Sequence, residues 1–453
     1  MRPMMANTIL QGIGVLETDV EITDIVTDSR KIINGCIFVC IKGERADGHD
    51  FAKSALASGA ALVLAQHGIE DIPTEKCVVV RDIHDALIQI GANYRAAFSP
   101  VLVGVTGSVG KTTTKEFCYA VFSAFGKTLK TQGNQNNEIG MPKTLLRLDE
   151  SVEYAVIEMG MQGLGEIRKL TNAAKPQGAI ITCIGRSHLE QLGTRENILK
   201  AKLEICEGLS EGAPLVINIH DDFLPKADLR PDLRRVTFGI CSDADVWAKD
   251  ITYINGSSRF MLCDKENGKF HVEIPALGEH NVLNALSAYA LATRLGLNAE
   301  KAAKALSDFV TTGHRQHIVQ KNGITVIEDC YNANPDSMHA ALKTLRDFPC
   351  ERRIAVLGDM FELGELSRYA HEDIGRAAAE CDVDFLITIG EETRYTHERA
   401  VGFGLSATHC ADKKDAVLLL ANYCKAGDAV LVKASNGMHF EDILSEFYKK
   451  MDL

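Results

Sequence analysis

The sequence predicts an α/β protein built as three domains, residues 1–98, 99–312 and 313–453. Two observations predict this. Short apolar runs alternate with stretches of helical spacing along the chain, the pattern of mostly parallel sheets covered by helices. A length of 453 residues also exceeds what one hydrophobic core serves, so two to four domains are expected.

The first domain reads as a small N-terminal α/β domain. Residues 36–41, 61–65 and 77–80 are strand-like, and 51–58 has helical spacing. Two polar clusters interrupt them: Thr27-Asp28-Ser29-Arg30, and residues 42–49 ending in His49. Each is either an ordinary turn or a ligand-contacting loop at a strand end.

The central domain opens with residues 104–116, GVTGSVGKTTTKE. An apolar strand ends at Thr106, turns through Gly107, Ser108, Val109 and Gly110, and enters a helix at Lys111, Thr112 and Thr113. Glycines let backbone N–H groups converge on an anion, the helix N-terminus adds its dipole, and Lys111 adds a point charge. Thr112 is placed to offer a hydroxyl to magnesium. A strict phosphate loop has glycine where Val105 stands, and a plain glycine turn is the competing reading. Further strands are expected at 154–158, 178–184, 214–218 and 235–239, with helices at 166–172, 195–209 and 280–295. Together they predict a P-loop ATPase-like doubly wound sheet. The C-terminal domain reads as Rossmann-like α/β, with strands at 324–328, 354–357, 385–389 and 429–432 and helices at 337–346 and 369–381.

Composition narrows the class. Net charge is −12, from 49 basic and 61 acidic residues, which disfavours nucleic acid or a membrane surface as partner. The 13 cysteines lack a C-x-x-C pair and read as free buried thiols of a reducing compartment. No signal peptide and no apolar run of about 18 residues is apparent, so a cytoplasmic protein without membrane insertion is expected. Monomer is the default.

Several residues could carry chemistry. Glu158 ends an apolar strand beside the loop, where it is a natural magnesium ligand or a solvated strand-end carboxylate. His188 follows another strand and could face the same crevice, although a lone histidine is more often structural. Lys202 looks like an ordinary helical lysine. Asn136 and Asn137 sit in a glycine-rich loop that suits either a turn or an uncharged polar ligand. Arg315 lies just past the second boundary, where a guanidinium can stabilise a transferring phosphoryl group once domains close. Asp329 to Pro335 and Gly358 to Gly364 follow strands of the last domain.

These motifs resemble the Mur ligases of bacterial cell-wall synthesis along nearly the whole chain. T-G-x-x-G-K-T-T at 106–113 is similar to that family's phosphate loop. Glu158-Met159-Gly160, His188-Leu189-Glu190, Lys202 and His280-Asn281-x-x-Asn284 match in the same order. Asp47-Gly48-His49, the 133–142 asparagine–glycine loop, Tyr331-Asn332-Ala333-Asn334-Pro335 and Gly358-Asp359-Met360-x-Glu362-Leu363-Gly364 point to the branch that joins D-alanyl-D-alanine to a UDP-N-acetylmuramoyl-tripeptide. The resemblance implies an ATP-dependent ligase working through an acyl phosphate. Lys111 and the loop backbone would hold ATP; Thr112 and Glu158 would hold one magnesium ion, and His188 a second. Lys202 would be carbamylated, Asn281 would meet adenine, and Arg315 and Asp329 would approach the nucleotide. Ser29, Arg30 and His49 would hold the UDP-sugar, Asn136 and Asn137 the muramoyl-peptide, and Asn334 and Asp359 the dipeptide. Lys433-Ala434-Ser435-Asn436 departs from the K-G-S-R of many relatives. Rival readings are a folylpolyglutamate synthase, the sister ligase that adds the third amino acid, and an ATP-binding scaffold without catalysis. The long first domain, the Asn334 and Asp359 motifs, and the retained Glu158, His188 and Lys202 respectively count against them.

Overall fold

The computed structural model describes residues 1–44, 46–254 and 256–452. Arg45, within the second polar cluster, lies outside the described residues. Three main sheets follow one another along the chain. The first has four parallel strands, Ile25–Val26, Ile37–Val39, Leu62–Ala65 and Cys77–Val79, in chain order. The helix Ile83–Arg95 buries Ile83, Leu87, Ile90 and Tyr94 in a core shared with this sheet and packs on the helices Gly140–Leu145 and Glu166–Ala174, with Asp82 accepting from the N–H groups of His84 and Asp85 as the N-cap.

The second sheet has nine strands. Val101–Thr106 is third from one edge, flanked by Tyr154–Glu158 on one side and Gly178–Ile181 on the other, all parallel. The chain visits one side first and then crosses to the other, which makes the end of Val101–Thr106 a topological switch point. Ligands of open α/β sheets bind at such points because the following loops diverge there. The helix Glu279–Arg294 is apolar nearly all round and therefore buried, with Ala285, Leu286, Ala288 and Leu291 among its hidden residues. It lies against the helix Lys111–Ser123 and carries Asn281 and Asn284 to the phosphate loop.

The third sheet has six strands, all parallel except the edge strand His317–Lys321. It meets the second region mainly through polar bonds. Asn334 Nδ2 donates to Ser187 Oγ at 2.9 Å, the Arg186 N–H to Asp336 Oδ2 at 2.9 Å, and Lys343 reaches Glu279 at 3.2 Å. Leu277 and Tyr253 are apolar additions that pack into the C-terminal core.

The mostly parallel central sheet is present, with one extension that was not expected, and two element bounds need correction. Val246–Ile254, Ser257–Asp264 and Gly268–Ile274 extend it as an antiparallel meander. These strands alternate buried with exposed residues, so they lack the continuous apolar runs of the parallel strands. The expected helix 195–209 stops at Leu203 and tightens into a 3₁₀ turn, Glu204–Gly208. There the Glu204 carboxylate accepts from the N–H groups of Gly165 (2.7 Å) and Arg168 (3.1 Å), which fixes the start of the neighbouring helix Glu166–Ala174. The strand expected over 178–184 leaves the ladder after Ile181, because the next residues brace the phosphate loop. Thr182 Oγ1 donates to the Val109 carbonyl at 2.5 Å, and the Ser108 N–H to the Cys183 carbonyl at 3.0 Å.

A buried ion pair ties the meander to the buried helix: both terminal nitrogens of Arg294 donate to Asp264, each at 2.8 Å. Removing one member strands the other charge without water. Arg294→Met is expected to destabilise the central region by about 3–5 kcal/mol. Denaturant titration of the fluorescence of Trp247, the single tryptophan and a member of this meander, checks it.

Candidate active site

A cleft of about 1100 Å³ opens at the switch point. Its floor is the phosphate loop. Gly107 takes φ +149°, and a Cβ there would lie 1.8 Å from Thr182 Oγ1. Gly110 has φ +83° and precedes the helix, where a Cβ would come within 2.8 Å of Asn284 Oδ1. Both positions therefore require glycine. Ser108, Val109, Gly110, Lys111, Thr112 and Thr113 line the cleft. The Lys111 ammonium donates to the carbonyls of Gly107 (2.8 Å) and Ser108 (3.2 Å). Burial pushes its pKa down, while Glu158 opposes that shift.

Glu158 stands on the neighbouring strand. Its Oε1 accepts from Thr112 Oγ1 (3.2 Å) and Asn136 Nδ2 (2.8 Å). Its Oε2 is buried without a hydrogen bond, 3.6 Å from Lys115 Nζ. Lys115 in turn reaches Glu116 at 3.2 Å, and Glu116 pairs with Lys130. This buried charge chain was not visible in the sequence, where Lys115 looks like a surface residue. Its signal is position: Lys115 is one helical turn from Lys111, on a helix that the nine-stranded sheet and Glu279–Arg294 cover.

His188 comes from the strand on the other side and adopts φ +61°. Its Nδ1 is buried, has no hydrogen bond, and lies 3.4 Å from Glu362 Oε2. Burial, then Lys111 and Lys202, push the imidazole down to about 4, so it is the neutral, metal-binding form near neutrality. Lys202 lies beneath the cleft wall, 1% exposed. Burial first, and then Lys111, push its ammonium well below the usual lysine range.

The C-terminal region supplies the roof. The Arg315 guanidinium stacks 3.8 Å from the centre of the Tyr331 ring, and the Tyr331 carbonyl accepts from Asn436 Nδ2 at 3.1 Å. Asp329 lines the cleft but is paired with buried Lys433 at 2.8 Å. Asn281 lines it too, donating to the Leu277 carbonyl and to Gln316.

Four expected substrate contacts lie elsewhere. Asp359 does not line the cleft; its two oxygens accept from the N–H groups of Glu391, Glu392 and Thr393, where they anchor the helix Thr393–Gly402. Ser29 and Arg30 lie in the turn Ser29–Lys31, with Arg30 paired to Asp28. His49 is held by Asp47 at 2.6 Å and accepts from the Gln66 N–H at 3.1 Å. Asn136, Asn137 and Asn334 do line the cleft. The Asn137 carbonyl oxygen is already used by the Gly140 N–H at 2.9 Å, and the Asn334 oxygen caps the helix Pro335–Asp347.

Among the described residues no three His, Cys, Asp or Glu side chains form a ready metal cage. Ser108 Oγ, Glu158 Oε2 and His188 Nδ1 are instead three buried polar atoms without partners around one phosphate loop. Such unspent donors and acceptors suit magnesium, which takes few protein ligands and completes its shell with water and phosphate.

Fold and cleft together define a P-loop enzyme that uses a nucleotide. The patterns described as "Mur ligase family, catalytic domain", "Mur ligase middle domain" and "Mur ligase, glutamate ligase domain" match residues 21–101, 105–292 and 314–436. The UDP-N-acetylmuramoyl-tripeptide–D-alanyl-D-alanine ligase of Bacillus subtilis is 37% identical over 427 residues, covering 93% of this chain and 92% of that protein. A crystal structure of MurF from Acinetobacter baumannii superimposes with TM-score 0.90 at 31% identity, covering all of both chains. MurF from Thermotoga maritima, solved with ADP, gives 0.86 at 30% identity, covering 95% of this chain and 98% of that one. The chain belongs to the Mur ligase family.

Gly107→Ala drives its methyl into Thr182 and displaces the loop. ADP affinity, read by calorimetry, is expected to fall on the order of 10²-fold or more, in line with the cost of a misplacement of about 1 Å.

Proposed function

We propose that this protein joins D-alanyl-D-alanine to UDP-N-acetylmuramoyl-tripeptide at the expense of ATP, in peptidoglycan precursor synthesis. One observation carries the chemistry: Glu158, at the end of one strand flanking the loop, and His188, in the turn that follows the other, line the same cleft as Lys111 and Arg315. The substrates are those named for the relatives that match nearly the whole chain.

The peptide's terminal carboxylate attacks the γ-phosphate, an acyl phosphate forms and ADP leaves. The dipeptide amine then attacks the activated carbonyl, and phosphate departs as the amide closes. The obstacle is charge, since a carboxylate must approach a polyanion. Lys111 and the loop N–H groups hold the β- and γ-phosphates, and Arg315 meets the transferring group. Thr112 and Glu158 would hold one magnesium ion and His188 a second. Magnesium, when bound, screens the two anions from each other. Asn281 faces the adenine, and Asp329 keeps Lys433 and the neighbouring roof in place. Residues 1–98 hold the UDP-sugar through Ser29, Arg30 and the His49 loop. Residues 99–312 hold ATP and, through Asn136 and Asn137, the muramoyl-peptide. Residues 313–453 close over both, with Asn334 at the dipeptide. The enzyme works as a monomer in the cytoplasm, where its 13 free cysteines stay reduced. No helix of the described residues is long and apolar enough to cross a membrane.

Lys202 is the proposed carbamate. Burial, with Lys111 nearby, lowers its pKa and so favours the neutral amine, the form that adds carbon dioxide and releases a proton to leave a carbamate anion. NMR with isotopically labelled bicarbonate is expected to show a carbamate carbon that Lys202→Arg removes; an unchanged signal overturns the assignment.

ADP release is expected to require both the UDP-tripeptide and D-alanyl-D-alanine. Release that depends on a free amino acid instead identifies a sister ligase. Lys111→Ala is expected to lower kcat/KM by roughly 10³-fold, the scale of losing a charged contact to the transition state.

A further inference from the structure

We infer that the Glu362 carboxylate seats the ammonium of the incoming dipeptide and so selects a substrate with a free, positively charged amine. This rests on the ligase reading above. Lys111, Arg315 and Lys433 line the cleft, and most of the carboxylates beside them are already engaged. An ammonium entering there needs a counter-ion.

The acidic side chains lining the cleft leave one candidate. Glu158 is engaged by Thr112 and Asn136, Asp329 by Lys433, and Asp336 by the Arg186 N–H. Glu138 pairs with Lys169, and Glu166 accepts from the N–H groups of Gln162 and Gly163. Glu362 makes no hydrogen bond to any described residue; its near neighbour is His188 Nδ1, 3.4 Å away. It remains 53% exposed to the cleft.

The loop that carries it is firmly set. Its neighbours are pinned, with the Met360 N–H donating to His371 Nε2 at 3.0 Å and the Phe361 N–H to Ser435 Oγ at 2.9 Å. Asp359 fixes the start of the same loop through three backbone N–H groups. Glu362 itself is held at φ +62°, a left-handed conformation that a non-glycine residue rarely adopts. The result is a carboxylate aimed across the domain boundary at the His188 turn. The ammonium held there gives up one proton to solvent before its lone pair attacks the acyl phosphate.

Steady-state kinetics of Glu362→Gln test this. The KM for D-alanyl-D-alanine is expected to rise about 10- to 100-fold, the scale of one charge-assisted hydrogen bond, with partial recovery in Glu362→Asp. The KM for ATP and for the UDP-tripeptide should move less than about twofold. Hydroxylamine is uncharged at neutral pH and captures an acyl phosphate as a hydroxamate, releasing phosphate. It should therefore lose much less in Glu362→Gln than the dipeptide does. An unchanged dipeptide KM, or equal losses with both nucleophiles, overturns the inference. Absence of both hydroxamate and ADP with the unaltered protein would overturn the ligase reading instead.

Discussion

Everything in the cleft depends on a lysine ammonium held ready at a strand-to-helix turn. Lys111 is half-buried at the cleft floor, so water supports its charge only in part and the carbonyls of Gly107 and Ser108 do the rest. Those carbonyls point inward because the two glycines allow backbone angles closed to other residues. Only glycine fits at these two positions, because Thr182 and Asn284 come so close. Sheet order, the buried helix and the loop conformation thus serve one end: a positive charge fixed before any phosphate arrives. Preorganised charge costs nothing to rearrange at the moment of reaction.

Beneath it, charges alternate in a chain from Lys130 through Glu116 and Lys115 to Glu158. Each buried charge has an opposite neighbour, which keeps the desolvation cost tolerable. The chain ends at Glu158 Oε2, which has the Lys115 ammonium 3.6 Å away and no hydrogen bond. That oxygen keeps acceptor capacity for a cation bound in the cleft. His188 repeats the pattern from the opposite strand, with one free ring nitrogen.

Much of this was legible in the residues. The strand, loop and helix around Lys111 carry strong local signals, a continuous apolar run and fixed glycine spacing, and they appear as read. Glu158 and His188 were legible as strand-end residues, because parallel strands deliver their carboxyl ends to one edge of the sheet. The meander was not: its strands alternate and expose one face, although an Asn-Gly pair at 255–256 is a hairpin signal in the sequence. The burial of Lys115 and Lys202 was not legible either, since a lysine on a helix looks solvated until the layer above it is known. Asp359 shows the converse. Its motif is conspicuous, yet its oxygens are occupied by backbone donors, so it supports the loop and leaves the cleft to Glu362.

The seam between the second and third sheets has a mechanical consequence. It is fastened chiefly by Asn334 to Ser187, Asp336 to Arg186 and Lys343 to Glu279, with Leu277 and Tyr253 as its main greasy patches. Hydrogen bonds of this kind trade readily with solvent, so the roof can swing away without melting either core. Two of those fastenings also insert into the turn that bears His188. Parting the two sheets therefore frees the turn that bears His188, so the position of that imidazole is set by whether the seam is shut.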